Sequence, residues 1–242
     1  MKWALICGAS GDIGSQVARD LALEGWSLYL HYHQNESKTQ VLAQELMASY
    51  PKQDFLVLQA DLTQLNQVEN LAQNLFSLDA LIFTQGTTSY GLFAEQDPAS
   101  LTQMLAMQVT GPLHLVQLLQ SKLTQKDQSR VIFIGSVYGK AGSALEVGYS
   151  TVKGALSAFA KAYSKEVATL GLTVNVLAPG AVATQMNTKM FSKASRQAVA
   201  AEIPLGRFAK VEEVSYWVKA LLDEKAAYLT GQTIYMTGGW LE

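Results

Sequence analysis

Lys2–Gly25 reads KWALICGASGDIGSQVARDLALEG, and this stretch decides the class of fold. Its opening, WALIC at 3–7, is a short unbroken apolar run, the pattern of a strand covered on both faces. Gly8, Gly11 and Gly14 then punctuate the turn into an amphipathic helix. Glycines at such a turn let the backbone approach a pyrophosphate, and the helix N-terminus adds unpaired N–H groups and a partial positive charge. A glycine-rich turn is weak evidence alone, since turns need glycine anyway. Its place between the first strand and the first helix gives it weight.

Outward from this stretch, six more apolar runs of strand length follow: SLYLHY, DFLVLQ, DALIFT, RVIFIG, LTVNVLA and QTIYM. Segments of helical period separate them, with predicted starts near Asp12, Glu36, Gln64, Ala99, Gly148 and Val211. The alternation predicts an α/β fold with a parallel sheet and helices on both faces. No repeat, low-complexity tract or linker divides residues 1–242, so a single domain is expected. The segment from Ala181 to Pro204 breaks the pattern. Rich in Met, Lys, Ser and Ala and without a strand signal, 181–204 is expected to be a mobile substrate lid.

The chain is 49% hydrophobic and 16% charged with a net charge of -2, which argues against disorder and leaves no electrostatic footprint for nucleic acid. No apolar run reaches the roughly 18 residues of a membrane span, and Met-Lys-Trp leads straight into a strand in place of a signal peptide. A soluble cytoplasmic protein with no membrane partner is expected. Cys7, the single cysteine, is expected to be a buried core thiol. No His/Cys/Asp/Glu cluster has metal-ligand spacing.

The stretch IFIGSVYGKAGSALEVGYSTVKGA, 132–155, carries the chemistry. Tyr149 and Lys153 stand four apart on a predicted helix, hence on one face. A free tyrosine has a pKa of about 10 and is a poor proton donor or acceptor near neutrality; a neighbouring ammonium is expected to lower it. Ser136, at the end of the preceding strand, can hold a substrate carbonyl against the phenol. Tyr-x-x-x-Lys also arises often as a solvated surface pair, so the reading needs support from elsewhere in the chain.

That support comes from a resemblance over the whole length to the short-chain dehydrogenase/reductase family. Gly8–Gly14 resembles the family's glycine turn, Asp61 in ADLT its adenine-side Asp, and Ser136, Tyr149 and Lys153 its catalytic residues. NVLAPGAVAT from Asn175 to Thr184 resembles its nicotinamide-lining segment. IPLGRF and LTGQTIYMTGG resemble the 3-oxoacyl-[acyl-carrier-protein] reductase branch. The resemblance implies a single-domain Rossmann-type doubly wound sheet of about seven strands. It places a nicotinamide cofactor against Gly8, Ser10, Gly11, Asp12, Ile13, Gly14, His33, Asp61, Leu62, Gly86, Tyr149, Lys153, Pro179, Gly180, Val182 and Thr184. It also implies a homo-oligomer, tetramer or dimer. The tail ending in Trp240 and Leu241 fits burial against a neighbour or against its own core.

Three departures stand out. Asp12 occupies a position where the family has glycine, and is expected to cap the helix, pointing away from a pyrophosphate. FTQG at 83–86 replaces Asn-Asn-Ala-Gly. Gln108 in AMQVTG replaces the asparagine that completes the family's catalytic relay, so it is a candidate fourth catalytic residue. At the end of the second strand His31, Tyr32, His33, Gln34 and Asn35 supply no carboxylate before Glu36, and Lys38 follows. That favours NADP(H), with NAD(H) as the alternative. His31 and His33 read equally as ordinary strand or surface histidines, and His114 and Asn175 as structural residues.

The activity implied is NADPH-dependent reduction of a ketone, of the 3-oxoacyl thioester type. The alternatives are reduction of a ketone borne on a protein, such as the 5-aminopentanone modification of elongation factor P, and, from another class, NADP sensing without turnover. The substrate is accordingly a small-molecule or carrier- or protein-bound carbonyl compound.

Overall fold

Each of the seven apolar runs forms a strand, and all lie parallel in one sheet. The computed structural model describes residues 2–190 and 192–241. The first half runs β1 (Trp3–Cys7), α1 (Asp12–Leu23), β2 (Ser27–Tyr32), α2 (Glu36–Ser49), β3 (Phe55–Gln59), α3 (Leu65–Gln73), β4 (Ala80–Phe83), α4 (Pro98–Leu105) and α5 (Gly111–Leu123). The second runs β5 (Ser129–Ile134), α6 (Tyr138–Ala141), α7 (Val147–Val167), β6 (Leu172–Pro179), α8 (Gln185–Met190), α9 (Lys193–Glu202), α10 (Val211–Leu222) and β7 (Thr233–Met236).

The strand order is β3-β2-β1-β4-β5-β6-β7. The chain winds one way from β1 and the other way from β4, so the order reverses between these two neighbours. In open α/β sheets that reversal opens a crevice at the carboxyl ends of the strands, where ligands bind. Cys7 and Phe83, the last residues of β1 and β4, are partners in the ladder. The glycine turn and FTQG therefore leave the sheet side by side.

Side chains of β1 go alternately to two cores. Leu5 and Cys7 pack with Val68, Leu115 and Leu156 of α3, α5 and α7. Ala4 and Ile6 pack with Val17, Leu42 and Val218 of α1, α2 and α10. Covered on both faces, the strand has no polar alternation to show, and each fully buried Leu or Ile contributes roughly 1.5–3 kcal/mol. Cys7 is a buried free thiol, and burial pushes its pKa up.

The predicted helix starts agree within one residue. Beyond them, α4 and α5 are joined by a π-helical turn at Ala106–Thr110, and α6, α8 and α9 are additional. The 181–204 segment folds into α8 and α9, with Phe191 outside the described residues. No residue of α9 is buried, which explains why no apolar period marks it. Trp240 packs inside its own chain with Val137 and Ile203, while Leu241 remains exposed.

Candidate active site

The glycine turn is held from below by a histidine. Gly8 N donates to His31 Nδ1 at 3.2 Å, and His31 Nε2 lies 3.0 Å from Ala60 O. An amide N–H can only donate, so Nδ1 accepts, and the proton sits on Nε2, which donates to the carbonyl. Burial lowers the His31 pKa to about 4, so the ring is neutral at physiological pH. His31 is thus a structural residue. Gly8 has φ +84, and a Cβ there would meet Gln85 N at 2.8 Å; one on Gly14 would overlap the Gly8 carbonyl. FTQG closes the same knot, because Thr84 Oγ1 donates to Cys7 O at 2.8 Å.

Asp12 differs from expectation. Gly11 is the N-cap of α1, and no side chain caps it. Asp12, in the first helical turn, accepts from Gln185 N at 2.5 Å instead. Its carboxylate reaches across to the start of α8 because that backbone N–H, at the beginning of a helix, lacks an intrahelical partner. The dipole still favours an acid in this first turn.

At the other end, Ser136 leaves the sheet two residues after β5, and α7 carries Tyr149 and Lys153. Lys153 is buried and donates to Ile134 O at 2.9 Å, with Nζ 5.4 Å from the Tyr149 ring centre. Burial lowers its pKa to about 8. Burial likewise raises the Tyr149 phenol to about 12; a hydrogen bond with Ser136 opposes this, and the charge of Glu146 adds to it. The expectation that Lys153 draws the phenol down is not met in the chain alone, where loss of solvation dominates and the Ser136 hydrogen bond is what opposes it.

Gln108 lies within the π turn, its Nε2 donating to Thr87 O at 2.8 Å. A Cβ built on Gly86 would stand 3.0 Å from Gln108 Oε1 and 3.6 Å from Lys153 Nζ. The amide oxygen therefore faces the region of the lysine, buried and without a hydrogen-bond partner among the described residues. Asn175, by contrast, is tied up: Nδ2 donates to Leu229 O and Oδ1 accepts from Gln232 N. His114 Nε2 faces Glu69 at 3.7 Å, linking α5 to α3.

One cleft of about 860 Å³ joins the two ends. Every residue predicted for the site lines it except Gly14 and Gln108, which stand behind its wall. At the end of β2 the lining residues are His31, His33, Gln34, Asn35 and Lys38, and Glu36 is not among them; its carboxylate bonds the Tyr32 hydroxyl. Opposite, Asp61 faces His33 Nε2 at 3.6 Å. Burial works to raise the Asp61 pKa, but hydrogen bonds from Thr63 and the nearby imidazoles outweigh it and leave the carboxylate below its ordinary value. A pinched glycine turn at a helix N-terminus, a cleft of this size and the Tyr-Lys pair at its far end fit a nicotinamide dinucleotide. Thr88, Tyr138, Glu146 and Trp240 also line the cleft. Sequence reasoning missed them, although Glu146, three residues before Tyr149, is an isolated charge in an otherwise uncharged run and was a usable signal.

The comparisons agree with this geometry. A family model described as short chain dehydrogenase matches residues 2–195. The chain is 36% identical over 240 residues to the uncharacterized oxidoreductase YmfI of Bacillus subtilis, covering 99% of this chain and 98% of that protein. It is 33% identical to the 3-oxoacyl-[acyl-carrier-protein] reductase FabG of Rickettsia typhi, covering 99% and 97%. Among solved structures, the angucycline C-6 ketoreductase LanV with bound NADP superposes with a TM-score of 0.92 at 26% identity, covering 99% of this chain and 95% of that one. A doubly wound sheet, a cleft joining a glycine turn to a serine, tyrosine and lysine, and full-length likeness to these enzymes show that the chain belongs to the short-chain dehydrogenase/reductase family of oxidoreductases.

Proposed function

We propose that this chain is an NADPH-dependent reductase of ketones. The observation that carries the reading is the meeting of Ser136, Tyr149 and Lys153 on one wall of the cleft whose far end is the glycine turn. When bound, a reduced nicotinamide supplies the hydride to the carbonyl carbon. The chain's own task is to hold the carbonyl and neutralise its oxygen. Ser136 orients the carbonyl by a hydrogen bond. Tyr149, with its phenol at about 12, is fully protonated at neutral pH and gives its proton to the oxygen as the C=O π pair moves there. Lys153, anchored by Ile134 O, stabilises the phenolate left behind and binds the cofactor ribose. Gln108 takes the family asparagine's place behind Lys153.

Lys38 and the lack of a carboxylate at the end of β2 support NADP(H) over NAD(H), as does LanV, whose structure holds NADP. Likeness to the FabG protein supports a 3-oxoacyl thioester as substrate. Glu146 in the cleft wall favours the second reading, a ketone carried on an amine-bearing protein side chain. Residues 181–204 would serve as the lid, and assembly as a dimer or tetramer, measurable by light scattering, belongs to the same proposal. A screen of free, carrier-bound and protein-bound ketones with NADPH and NADH side by side tests the reading. Tight NADPH binding with no ketone reduced would replace it with sensing.

A further inference from the structure

A cleft built only for a neutral acyl chain has no use for a buried carboxylate in its wall, yet Glu146 places one there. Its residue is 6% exposed and lines the same cleft as Ser136 and Tyr149. Helix capping does not account for it. Glu146 is the N-cap residue of α7, but its side chain accepts no helix N–H. Oε1 instead accepts from Thr88 Oγ1 at 2.7 Å. Oε2 lies 3.4 Å from Ser143 Oγ, a hydroxyl that also has the Ala144 carbonyl at 3.1 Å.

Among the described residues no Lys, Arg or His nitrogen comes within ion-pair distance of this carboxylate. The lysines of the neighbourhood are engaged elsewhere: Lys153 with Ile134 O, Lys140 over the Tyr235 ring. Its negative charge acts on the phenols of Tyr149 and Tyr138, raising both. A buried carboxylate without a cation costs free energy that a cationic partner recovers. The cleft is where such a partner enters.

We propose that Glu146 recognises a protonated amine on the substrate, so that the substrate class is an aminoketone whose carbonyl meets Ser136 and Tyr149 while its ammonium meets Glu146. Glu146 stands three positions before Tyr149, at the N-cap of the helix that carries it, and both line the same cleft, so one small substrate can meet both. The proposal rests on the ketone-reductase reading above and names its substrate class. It also separates the two substrate readings: an amine-bearing protein side chain meets the requirement, whereas a neutral 3-oxoacyl thioester does not.

The test compares an aliphatic aminoketone with its N-acetyl analogue as substrates of the full chain with NADPH at pH 7, each offered free and tethered to a short peptide. The expected result is a kcat/KM about 10- to 100-fold higher for the free-amine form, the range of a charge-assisted hydrogen bond. Whichever presentation reacts faster identifies the source of the substrate. In Glu146→Gln that ratio should fall at least about tenfold, and in Glu146→Asp it should be partly kept. The wild-type ratio needs no variant, so misfolding of either does not blunt the test. Equal reduction of amine and N-acetyl forms overturns the proposal and leaves the reductase reading standing. No reduction of any ketone overturns both.

Discussion

Lys153 holds its ammonium 5.4 Å from the centre of the Tyr149 ring, and one shared cause, burial, drives their acidities apart. The phenol rises to about 12 and the ammonium falls to about 8. At neutral pH the pair is a neutral acid above a cation held by Ile134 O, a state ready to protonate a forming alkoxide. The opposite reaction, alcohol oxidation, needs the phenolate.

Removing the Tyr149 hydroxyl should therefore stop reduction while sparing the cofactor. Tyr149→Phe is expected to lower kcat for ketone reduction by about 10²–10⁴-fold. NADPH affinity, followed by fluorescence titration, should change less than about threefold, under 1 kcal/mol. Wild-type turnover in this variant would sink the mechanism.

Lys153 should cost stability at pH 7. Its folded pKa of about 8 lies below the ordinary 10.5, so between those values the unfolded chain holds the extra proton. Its contribution thus rises as pH climbs from about 8 toward 10.5 and is lost as pH falls through 8. Lys153→Met is expected to unfold at higher urea than wild type at pH 7, by on the order of 3 kcal/mol. The difference should shrink by pH 10, just where Tyr149 begins to titrate in the unfolded chain. Parallel urea curves at pH 7 and 10 measure this, and a variant less stable at pH 7 would contradict it.

His31 works in the acid range. With a folded pKa of about 4 against 6.5, its neutral form contributes stability fully above 6.5, and this is lost as pH falls through 4. His31→Leu strands the Gly8 N–H and should cost about 1–3 kcal/mol. Urea midpoints between pH 4 and 7 should slope less in the variant, and NADPH binding should weaken with the loosened turn.

Gly14→Ala should damage the nucleotide end directly. The added methyl would overlap the Gly8 carbonyl and stand 2.6 Å from Thr84 Oγ1. Relief requires moving the turn, at a cost of about 1–3 kcal/mol. Calorimetric titration with NADPH should show weaker binding, and unaltered affinity would mean that the turn does not hold the cofactor.

Cofactor choice should depend on Lys38. Lys38→Glu puts a carboxylate at the end of the cleft where a 2'-phosphate is expected, and should lower the ratio of NADPH to NADH affinity by at least about tenfold. An unchanged ratio would move phosphate recognition to other residues.

Apolar runs of strand length determined the seven strands, because parallel strands covered on both faces must be apolar, and three glycines after the first run marked the turn into the first helix. The family resemblance, added to a spacing that is weak by itself, marked Ser136, Tyr149 and Lys153 as one chemical unit. What only the tertiary structure decided are relations between distant segments. Asp12 bonds Gln185 in preference to its own helix, His31 props up Gly8 from a neighbouring strand, and Glu146 turns from its helix toward Thr88. The two pKa values belong to the same class, since they follow from how much water the folded walls exclude. Such contacts depend on which strand ends the sheet order brings together, and no local pattern in the chain encodes that.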